Sequence, residues 1–436
     1  MTYADFLATK QRAHGDHVIT DASAADVNPM LHDWQREIVA WAVRKGRAAV
    51  WADTGLGKTF MQIEWARLSA QNPAGNDRAL IVAPLAVCQQ TIREAAKMGI
   101  IARYLREDDG GNGLIVTNYE MIEHFNPATL DAVVLDEASI LKQSDGKTRT
   151  KLIRHFASVP ARLACTATPA PNDPEELTSQ AEFLGVMPRV EMLAAYFIHD
   201  QDGWRLKGHA RMPMYQWMTS WAVALRRPSD IGYPDAGYNL PPLNIVSQVV
   251  RVDMPAPDGE LFRSDIGGVG GRAQVRRETL TARVDRAVEL VKAEPGEPWL
   301  IWAGLNAEAD ALAAAIPGAV NVEGNWKPEA KAAALLDFAD GKIQHLITKP
   351  SIASQGLNFQ HCARMAFVGL GDSWESYYQA IRRCWRYGQT RQVDAHVIVS
   401  HLESQIAENV ARKERDVNHL INGLVAAMRT EWSPSA

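Results

Sequence analysis

The chain has 436 residues, which is too long for one compact core and suits two domains of ordinary size. A hydrophobic content of 47% with 22% charged residues is typical of a globular protein, and no apolar run approaches the roughly 20 residues that a bilayer span needs. The net charge of −5 neither supports nor excludes a nucleic-acid partner, and the four scattered cysteines exclude a CxxC-type metal cluster and favour a reducing, cytoplasmic location.

The first half of the chain alternates strand-like and helix-like patterns. Residues 1–28 are polar and alanine-rich and are predicted as an N-terminal extension. From Leu31 an amphipathic pattern predicts a helix that Gly46 ends. Five short apolar runs follow, with helical patterns between most of them. They predict strands at 48–52, 79–83, 113–117, 132–136 and 162–167. This alternation predicts parallel βαβ units with helices on both faces of a sheet, over residues 29–185.

The second half repeats this alternation after an interruption. Residues 186–245 are rich in aromatic residues and prolines, and we interpret them as a helical insertion followed by a linker. The glycine cluster at 266–271 predicts a flexible loop. A second series of apolar runs predicts strands at 299–304, 319–324, 344–349, 364–369 and 394–399. The predicted fold class is therefore α/β with two parallel-sheet domains in tandem, the second over 246–425, and with a frayed tail at 426–436.

A glycine-bearing loop joins the first predicted strand to the next helix. The string ADTGLGKT (52–59) places Gly55 and Gly57 where the backbone must turn tightly, so that amide groups can point at phosphate oxygens. Lys58 supplies a charge for the β- and γ-phosphates, and Thr59 supplies a hydroxyl for Mg²⁺. The loop therefore predicts a binding site for a nucleoside triphosphate.

An acidic pair follows another strand. Asp136 and Glu137 come directly after the apolar run of VVLDEAS, at the carboxyl end of a parallel strand, where the phosphate loop also lies. Mg²⁺ prefers oxygen ligands and keeps much of its hydration, which suits Asp136 as a metal-holding residue. Glu137 is predicted to orient and polarise the attacking water.

These motifs resemble, in type and order, those of the superfamily 2 helicases and, within them, the Swi/Snf-type ATP-dependent DNA translocases. The family form of the phosphate loop explains Ala52, where the generic pattern expects glycine. LHDWQ resembles the segment whose glutamine reads adenine, here Gln35. LDEAS stands where the family has DEAH or a variant, with Ser139 in the last place. CTATPAPN (165–172) is similar to LTGTPxxN, which links hydrolysis to lobe movement, and departs from it at the first and third residues.

The resemblance continues through the later motifs. IVAPLAV and VTNYEMI resemble the nucleic-acid-contacting motifs of the first lobe, and LRRPSDIGY…LPP (225–242) resembles the bridge between lobes. SQGLNF (354–359) resembles the Gly-Leu-Asn-Leu motif, with Ser-Gln in place of glycines. DSWESYYQAIRRCWRYGQ (372–389) matches the pattern QAxxRxxRxGQ. In fold, the resemblance implies two tandem RecA-like domains with an ATP cleft between them.

The arginines of the last motif have a geometric interpretation of their own. Arg383 and Arg386 are three residues apart, so that on a helix they share a face, and both can point toward a nucleotide. Arginines that arrive from another domain stabilise the charge that spreads over the γ-phosphate in phosphoryl transfer. Arg382 lies about 100° away on such a helix and is expected to point to solvent or to nucleic acid.

The motifs and the resemblance together assign a set of site residues. The expected catalytic residues are Lys58, Asp136, Glu137, Arg383 and Arg386. The expected nucleotide-binding residues are Gln35, Thr54, Gly55, Leu56, Gly57, Lys58, Thr59, Gly356 and Gln389. The expected nucleic-acid contacts are Pro84, Asn118, Tyr119, Ser354 and Trp374. The implied cofactors are ATP and Mg²⁺, the metal being held by Thr59 and Asp136.

The implied function is ATP hydrolysis that drives translocation along DNA, with double-stranded DNA favoured and single-stranded DNA left open, and with no membrane partner. Two alternatives stay open: a strand-separating helicase in replication, repair or recombination, and an ATPase subunit of a larger DNA-processing or defence complex. The short chain and its alanine-rich composition favour a bacterial or bacteriophage origin.

Overall fold

The computed structural model describes most of the chain. It covers residue 19 and residues 21–431, except 72–74, 143–145, 202, 253–274, 354–357, 370, 372 and 402–403. The predicted glycine loop at 266–271 therefore lies outside the described residues. In the part of the chain that is described, no helix is both long and apolar enough to span a membrane.

The chain forms two compact units, which are described separately. The first comprises Met1–Tyr238 and Arg415–Ala436, and the second comprises Asn239–Glu414. Each contains one parallel sheet with helices, so the predicted fold class, two tandem RecA-like α/β domains, is confirmed.

The sheet of the first unit has seven parallel strands among the described residues. They are β1 (Arg47–Ala52), β2 (Arg78–Ala83), β3 (Ala102–Tyr104), β4 (Gly113–Asn118), β5 (Ala132–Asp136), β6 (Ala161–Cys165) and β9 (Ala222–Leu225). Their order across the sheet is β3-β4-β2-β5-β6-β1-β9. Central strands such as β2 and β5 are buried along their whole length, and they are apolar except for Arg78 and Asp136 at their ends, as expected for strands covered on both faces. The phosphate-loop strand β1 thus lies two places from the acidic strand β5.

Helices connect these strands. They are α1 (Asp33–Lys45), α2 (Lys58–Ala70), α3 (Leu85–Lys97), α4 (Lys147–His155), α5 (Leu177–Leu184), α6 (Arg189–Tyr196) and α7 (Arg211–Thr219). Helix α2 follows β1 directly after the phosphate loop, and α3 follows β2. Parallel neighbours need such crossovers, because a tight turn joins only antiparallel strands. The loops at the carboxyl ends of β1, β5 and β6 therefore lie along one edge of the sheet.

Residues 186–245 differ from the predicted insertion and linker. They contain β9, which extends the main sheet by pairing with β1 from Ala49↔Ala222 to Ala52↔Leu225. They also contain an antiparallel hairpin of β7 (Phe197–Asp200) and β8 (Gly203–Leu206). The segment is thus an integral part of the first unit, because β9 buries all four of its apolar side chains.

The second unit repeats the architecture with six parallel strands among the described residues. They are β10 (Leu243–Val250), β11 (Trp299–Trp302), β12 (Val320–Asn321), β13 (His345–Thr348), β14 (Arg364–Phe367) and β15 (Val393–Ser400), in the order β10-β15-β14-β11-β13-β12. Its helices are α8 (Leu280–Ala293), α9 (Asn306–Ala315), α10 (Pro328–Ala339), α11 (Pro350–Ala353) and α12 (Trp374–Ile381). One core cluster joins Trp299 and Ile301 of β11 to Leu312 of α9 and Ile398 of β15.

The last helix, α13 (Ser404–Glu431), corrects the predicted end of the second domain. From Arg415 onward it belongs to the first unit, and it continues to Glu431 where a frayed tail from residue 426 was expected. The reason is burial, since Leu424, Ala427 and Met428 are apolar side chains shielded from water. Residues 432–436 lie outside the described part of the chain.

Candidate nucleotide site and arginine segment

The phosphate loop has the backbone geometry that its glycines predict. Gly55 and Gly57 have φ values of 90° and 73°, which L side chains rarely adopt. A Cβ atom added at Gly57 would also collide with the side-chain amide of Gln35. Helix α2 begins at Lys58, immediately after this turn, so its first amide groups point out of the helix toward the loop. The loop therefore offers the N-terminal end of a helix as an anion site.

Two side chains of the loop are held by its own backbone. The ammonium group of Lys58 donates to the carbonyl oxygens of Ala52, at 2.9 Å, and Asp53, at 3.4 Å. The amide of Thr54 donates to Asp53 Oδ1 at 2.6 Å. Thr59, the second residue of α2, is half-buried beside them. Lys58 thus lies along the loop, where a positive charge can meet phosphate oxygens.

Asp136 is tied to the phosphate-loop helix by a residue that the sequence analysis missed. Gln62, one turn after Lys58 on α2, donates from Nε2 to Asp136 Oδ1 at 2.7 Å, and both side chains are buried. Burial raises the pKa of Asp136, while the Gln62 hydrogen bond, the charge of Lys58 and the Glu137 amide act in the opposite direction. The spacing of four residues between Lys58 and Gln62 was the available signal, because it places both on one helix face.

Glu137 has an uncommon backbone conformation for a residue with a side chain. Its φ is 56°, in the left-handed region. Its carboxylate accepts a hydrogen bond from Thr166 Oγ1 at 3.4 Å, and Thr166 Oγ1 also accepts from the Thr168 amide at 3.0 Å. Non-glycine residues in this region are enriched at functional sites, where surrounding contacts hold them. The acidic pair is therefore connected to the CTATPAPN segment after β6.

That segment continues into a buried carboxylate. Asn172 donates to Glu176 from its amide at 3.0 Å and from Nδ2 at 2.8 Å. Burial raises the pKa of Glu176 to about 7, although these two hydrogen bonds act to lower it. Glu176 is a titratable group of this segment that the sequence motif does not include.

Gln35, expected to read adenine, is buried against the phosphate loop. Its Nε2 donates to the carbonyl of Leu56 at 2.9 Å, and its Oε1 accepts from the amide of His32 at 2.9 Å. In this arrangement Gln35 supports the loop conformation from behind.

The nucleic-acid contacts expected in the first unit differ in exposure. Pro84 precedes α3 and is half-buried next to the exposed Leu85. Asn118, at the end of β4, is buried, accepts from Tyr104 at 3.3 Å and donates to Glu120. Tyr119 is also buried, and its hydroxyl donates to the main-chain carbonyl of Asp136. The Tyr119 hydroxyl therefore supports the acidic strand.

The arginine segment of the second unit was predicted to be helical, but the helix ends before it. Helix α12 ends at Ile381, so that Arg383 and Arg386 lie in the turns that follow it. Arg383 is buried, and its Nε donates to the carbonyl of Gln379 at 3.0 Å. Burial, with a smaller effect of the Arg382 charge, lowers the pKa of Arg386 to about 10. Arg386 itself is half-buried, whereas Arg383 is shielded from water.

Arg382 is also buried, contrary to the expectation that it points to solvent. Only 1% of it is exposed, and its guanidinium lies 4.9 Å from the ring centre of Trp385 and 5.8 Å from that of Tyr378. Cation–π contacts of this kind stabilise a desolvated arginine. Trp385 in turn donates from Nε1 to the carbonyl of Pro241 at 2.7 Å.

The remaining expected residues of the second unit have structural contacts or lie outside the described residues. Gln389 is buried, donates from Nε2 to the carbonyls of Cys362 at 3.0 Å and Cys384 at 3.4 Å, and accepts from the amide of Arg391. Trp374 is buried and stacks on Tyr378 with ring centres 5.0 Å apart. The residues outside the described part are Ser354 and Gly356.

Comparisons with known proteins agree with the division of the chain into two α/β units. Residues 34–194 match the model of the SNF2-related domain, and residues 282–388 match that of the helicase conserved C-terminal domain. No curated protein matches the chain. Among solved structures, the chain is similar in fold to a fragment assigned as an HsdR subunit of a type I restriction enzyme from Vibrio vulnificus YJ016. That similarity has a TM-score of 0.60 at 14% sequence identity and covers 90% of this chain and 68% of the other.

Proposed function

The chain belongs to the superfamily 2 helicases as a Snf2-type, ATP-hydrolysing member, and from that premise we propose that nucleic-acid-stimulated hydrolysis drives its translocation along double-stranded DNA. The observation that supports the ATP-hydrolysing site most directly is the buried hydrogen bond of 2.7 Å between Gln62 and Asp136. This hydrogen bond joins the helix that begins at Lys58 to the carboxylate expected to hold the metal. The phosphate loop and the acidic pair therefore form one site.

The residues present fit Mg²⁺. Asp136 offers a buried carboxylate and Thr59 a hydroxyl, which are the oxygen ligands that this ion prefers, with phosphates and water completing its shell. When bound, Mg²⁺ neutralises part of the phosphate charge. Lys58 adds a positive charge beside the β- and γ-phosphates, and the first amide groups of α2 orient the same oxygens.

Glu137 and the two arginines serve the phosphoryl transfer itself. Glu137, held by Thr166, orients the attacking water and polarises it. Arg383, which is buried, and Arg386, which is half-buried, stabilise the charge that develops on the transferring group. Arg386→Ala should leave ATP affinity largely unchanged and lower kcat about 10³-fold or more, as loss of such an arginine does. Normal turnover in this variant would remove Arg386 from the proposed mechanism.

The partner is tested by nucleic-acid stimulation of the ATPase. Rates with duplex DNA, single-stranded DNA and RNA are compared at one fixed salt concentration, because electrostatic binding depends steeply on salt. Duplex DNA is expected to stimulate most, and Lys58→Ala should abolish hydrolysis with every partner. A clear preference for RNA would contradict the proposal.

Two other functions each have a specific observation in their favour. The β7–β8 hairpin stands apart from the main sheet and carries Trp204 in a T-shaped contact with His199, at 4.9 Å, as a strand-separating pin could. Release of a strand from a forked duplex would establish this helicase activity. The similarity in fold to an HsdR-type subunit favours a role within a larger DNA-processing complex. Proteins that co-purify from the native cell test that role.

A further inference from the structure

Helix α4 has four lysine or arginine residues and no acidic ones, although the chain as a whole is acidic. Its sequence is KTRTKLIRH, whereas the whole chain has a net charge of −5. Lys147, Lys151 and Arg154 are spaced at i, i+4 and i+7, so they line one face of the helix. Leu152 is buried on another face and anchors α4 to the first unit. We call Lys147, Lys151 and Arg154 the α4 stripe.

The remaining basic side chain of the helix interior is engaged elsewhere. Arg149 forms an ion pair with Glu182 of α5. Within the stripe, Lys147 and Arg154 are exposed. Lys151 forms an ion pair with Glu123, at 2.8 Å, with 33% and 65% of the two side chains exposed. An ion pair as exposed as this one contributes little, so a stronger anion can displace Glu123.

The partner of Lys151 places the stripe beside a motif already assigned. Glu123 belongs to the 3-10 helix Tyr119–His124, which follows β4 and contains the last four residues of the VTNYEMI segment expected near nucleic acid. Tyr119 of the same helix donates to the carbonyl of Asp136. The chain also leads from the acidic pair through α4 to β6 and the CTATPAPN segment. The stripe is thus connected on both sides to residues of the nucleotide site.

We propose that the α4 stripe binds the phosphate backbone of a nucleic-acid strand, and that Glu123 stays paired with Lys151 until a phosphate replaces it. The inference rests on the proposed function, which supplies the nucleic-acid partner. The stripe extends about 10 Å along the helix, or about three nucleotide steps of one DNA strand. Contacts of this type carry no sequence information and fix the register of the protein on the strand.

The test is the salt dependence of binding to a short fluorescent DNA duplex, measured by anisotropy between about 50 and 200 mM salt. The variant Lys147→Ala/Arg154→Ala should reduce the slope of log K against log salt by about 1.8, because each lost phosphate contact removes about 0.9. Its ATPase rate without nucleic acid should equal that of the wild type, which also shows that the variant is folded. An unchanged slope would overturn the proposal.

Two further variants separate the stripe from a general effect of charge. Lys97→Ala is the matched control, because Lys97 is an exposed lysine of the same unit in an ion pair with Glu94 at 3.1 Å. Its slope should equal that of the wild type, and a loss as large as that of the double variant would overturn the proposal. Glu123→Gln should strengthen duplex binding several-fold by releasing Lys151. Weaker binding would contradict the proposal that a phosphate displaces Glu123 from Lys151.

The outcome also distinguishes this inference from the proposed function. Duplex stimulation of the wild-type ATPase with an unchanged slope in Lys147→Ala/Arg154→Ala would overturn the α4 stripe alone. A wild-type ATPase that no nucleic acid stimulates or binds would overturn both.

Discussion

At the residue scale, Gln62 gives a sharp test of the nucleotide site. Gln62→Leu removes the donor to the buried Asp136 carboxylate and leaves a side chain of similar size. A hydrogen bond to a charged group contributes about 1.5–3 kcal/mol. Because the Gln62 hydrogen bond lowers the pKa of Asp136, its loss should raise that pKa, so that protons compete better with Mg²⁺ for the carboxylate. The Mg²⁺ concentration for half-maximal ATPase activity should rise about tenfold or more.

The control for this experiment lies at the C-terminal end of the same helix. Gln71→Leu replaces an exposed glutamine at the end of α2 and should leave the Mg²⁺ requirement unchanged. If Gln62→Leu and Gln71→Leu both behave as the wild type, Gln62 does not support the metal site. A lower melting temperature alone, without a changed Mg²⁺ requirement, would also assign Gln62 a purely structural role.

Glu176 predicts a pH dependence of stability. Its pKa is raised by burial from 4.5 to about 7, so its contribution to stability is full below about pH 4.5 and is lost as the pH rises through about 7. Glu176→Gln imitates the protonated form. The variant should match the wild type near pH 4.5 and be more stable by about 3 kcal/mol above pH 7, since each pKa unit corresponds to about 1.4 kcal/mol.

Urea unfolding of wild type and Glu176→Gln at several pH values measures this difference. The gap between the two free energies of unfolding should open between about pH 4.5 and 7. A variant that is less stable by the same amount at every pH would mean that Glu176 is already ionised in the native protein and that its hydrogen bonds with Asn172 dominate.

The sequence predicted where the expected site residues lie in the fold better than it predicted their side-chain contacts. Lys58 and Asp136 stand where their motifs place them, because a glycine turn and a strand end are local features. Gln35, Tyr119 and Gln389 were expected to meet a ligand, yet all three are buried with hydrogen bonds to main-chain atoms. A sequence motif shows which residue type stands at a position. It does not distinguish a residue that contacts a ligand from one that supports the backbone of the site.

At the element scale, the phosphate loop offers a matched pair of glycines. Gly57 and Gly99 both have a φ of 73°, but only an added Cβ at Gly57 would meet another side chain, that of Gln35. Both Gly57→Ala and Gly99→Ala incur the cost of about 1–2 kcal/mol for a left-handed residue. Gly57→Ala should in addition weaken ATP binding at least about tenfold, because the loop must move away from Gln35.

Binding of a fluorescent ATP analogue and thermal unfolding together check this prediction. Gly99→Ala should lower the melting temperature and bind the analogue as the wild type does. Equal affinity of Gly57→Ala and Gly99→Ala for the ATP analogue would show that the close contact between Gly57 and the Gln35 side chain does not determine the loop conformation.

The strands could be predicted from the sequence where they form short, continuous apolar runs. All ten predicted strands are present, because a strand covered on both faces appears as a continuous apolar run. Strand β9 was missed because its four residues lie among aromatic residues that favoured a helical interpretation. The turn after Ile381 was missed because the spacing of Arg383 and Arg386 fits a helix equally well. Tertiary contacts, which a local pattern does not contain, decided both cases.

At the scale of the whole molecule, the end of the chain completes the first unit. Strand β9 is an edge strand, and edge strands expose unpaired amide groups that favour aggregation. Met428 of α13 covers this edge, and its Sδ accepts a hydrogen bond from the amide of Ala224 at 3.0 Å. Arg226 donates to Asn422 and Asn418 of the same helix, at 3.0 and 2.8 Å. The position of α13 depends on the fold as a whole and has no signal in the local sequence.

Met428→Ala should therefore destabilise the first unit and uncover its edge. Met428 is 2% exposed, and truncation of such a core side chain costs about 2–5 kcal/mol, whereas Met212→Ala, at an exposure of 50%, should cost almost nothing. Urea unfolding followed by tryptophan fluorescence measures the loss, because Trp217 and Trp221 lie in the same unit. Light scattering on warming should rise earlier in Met428→Ala than in Met212→Ala, since an uncovered β9 can pair with another chain. Equal stability of the two variants would mean that α13 packs too loosely to protect the sheet.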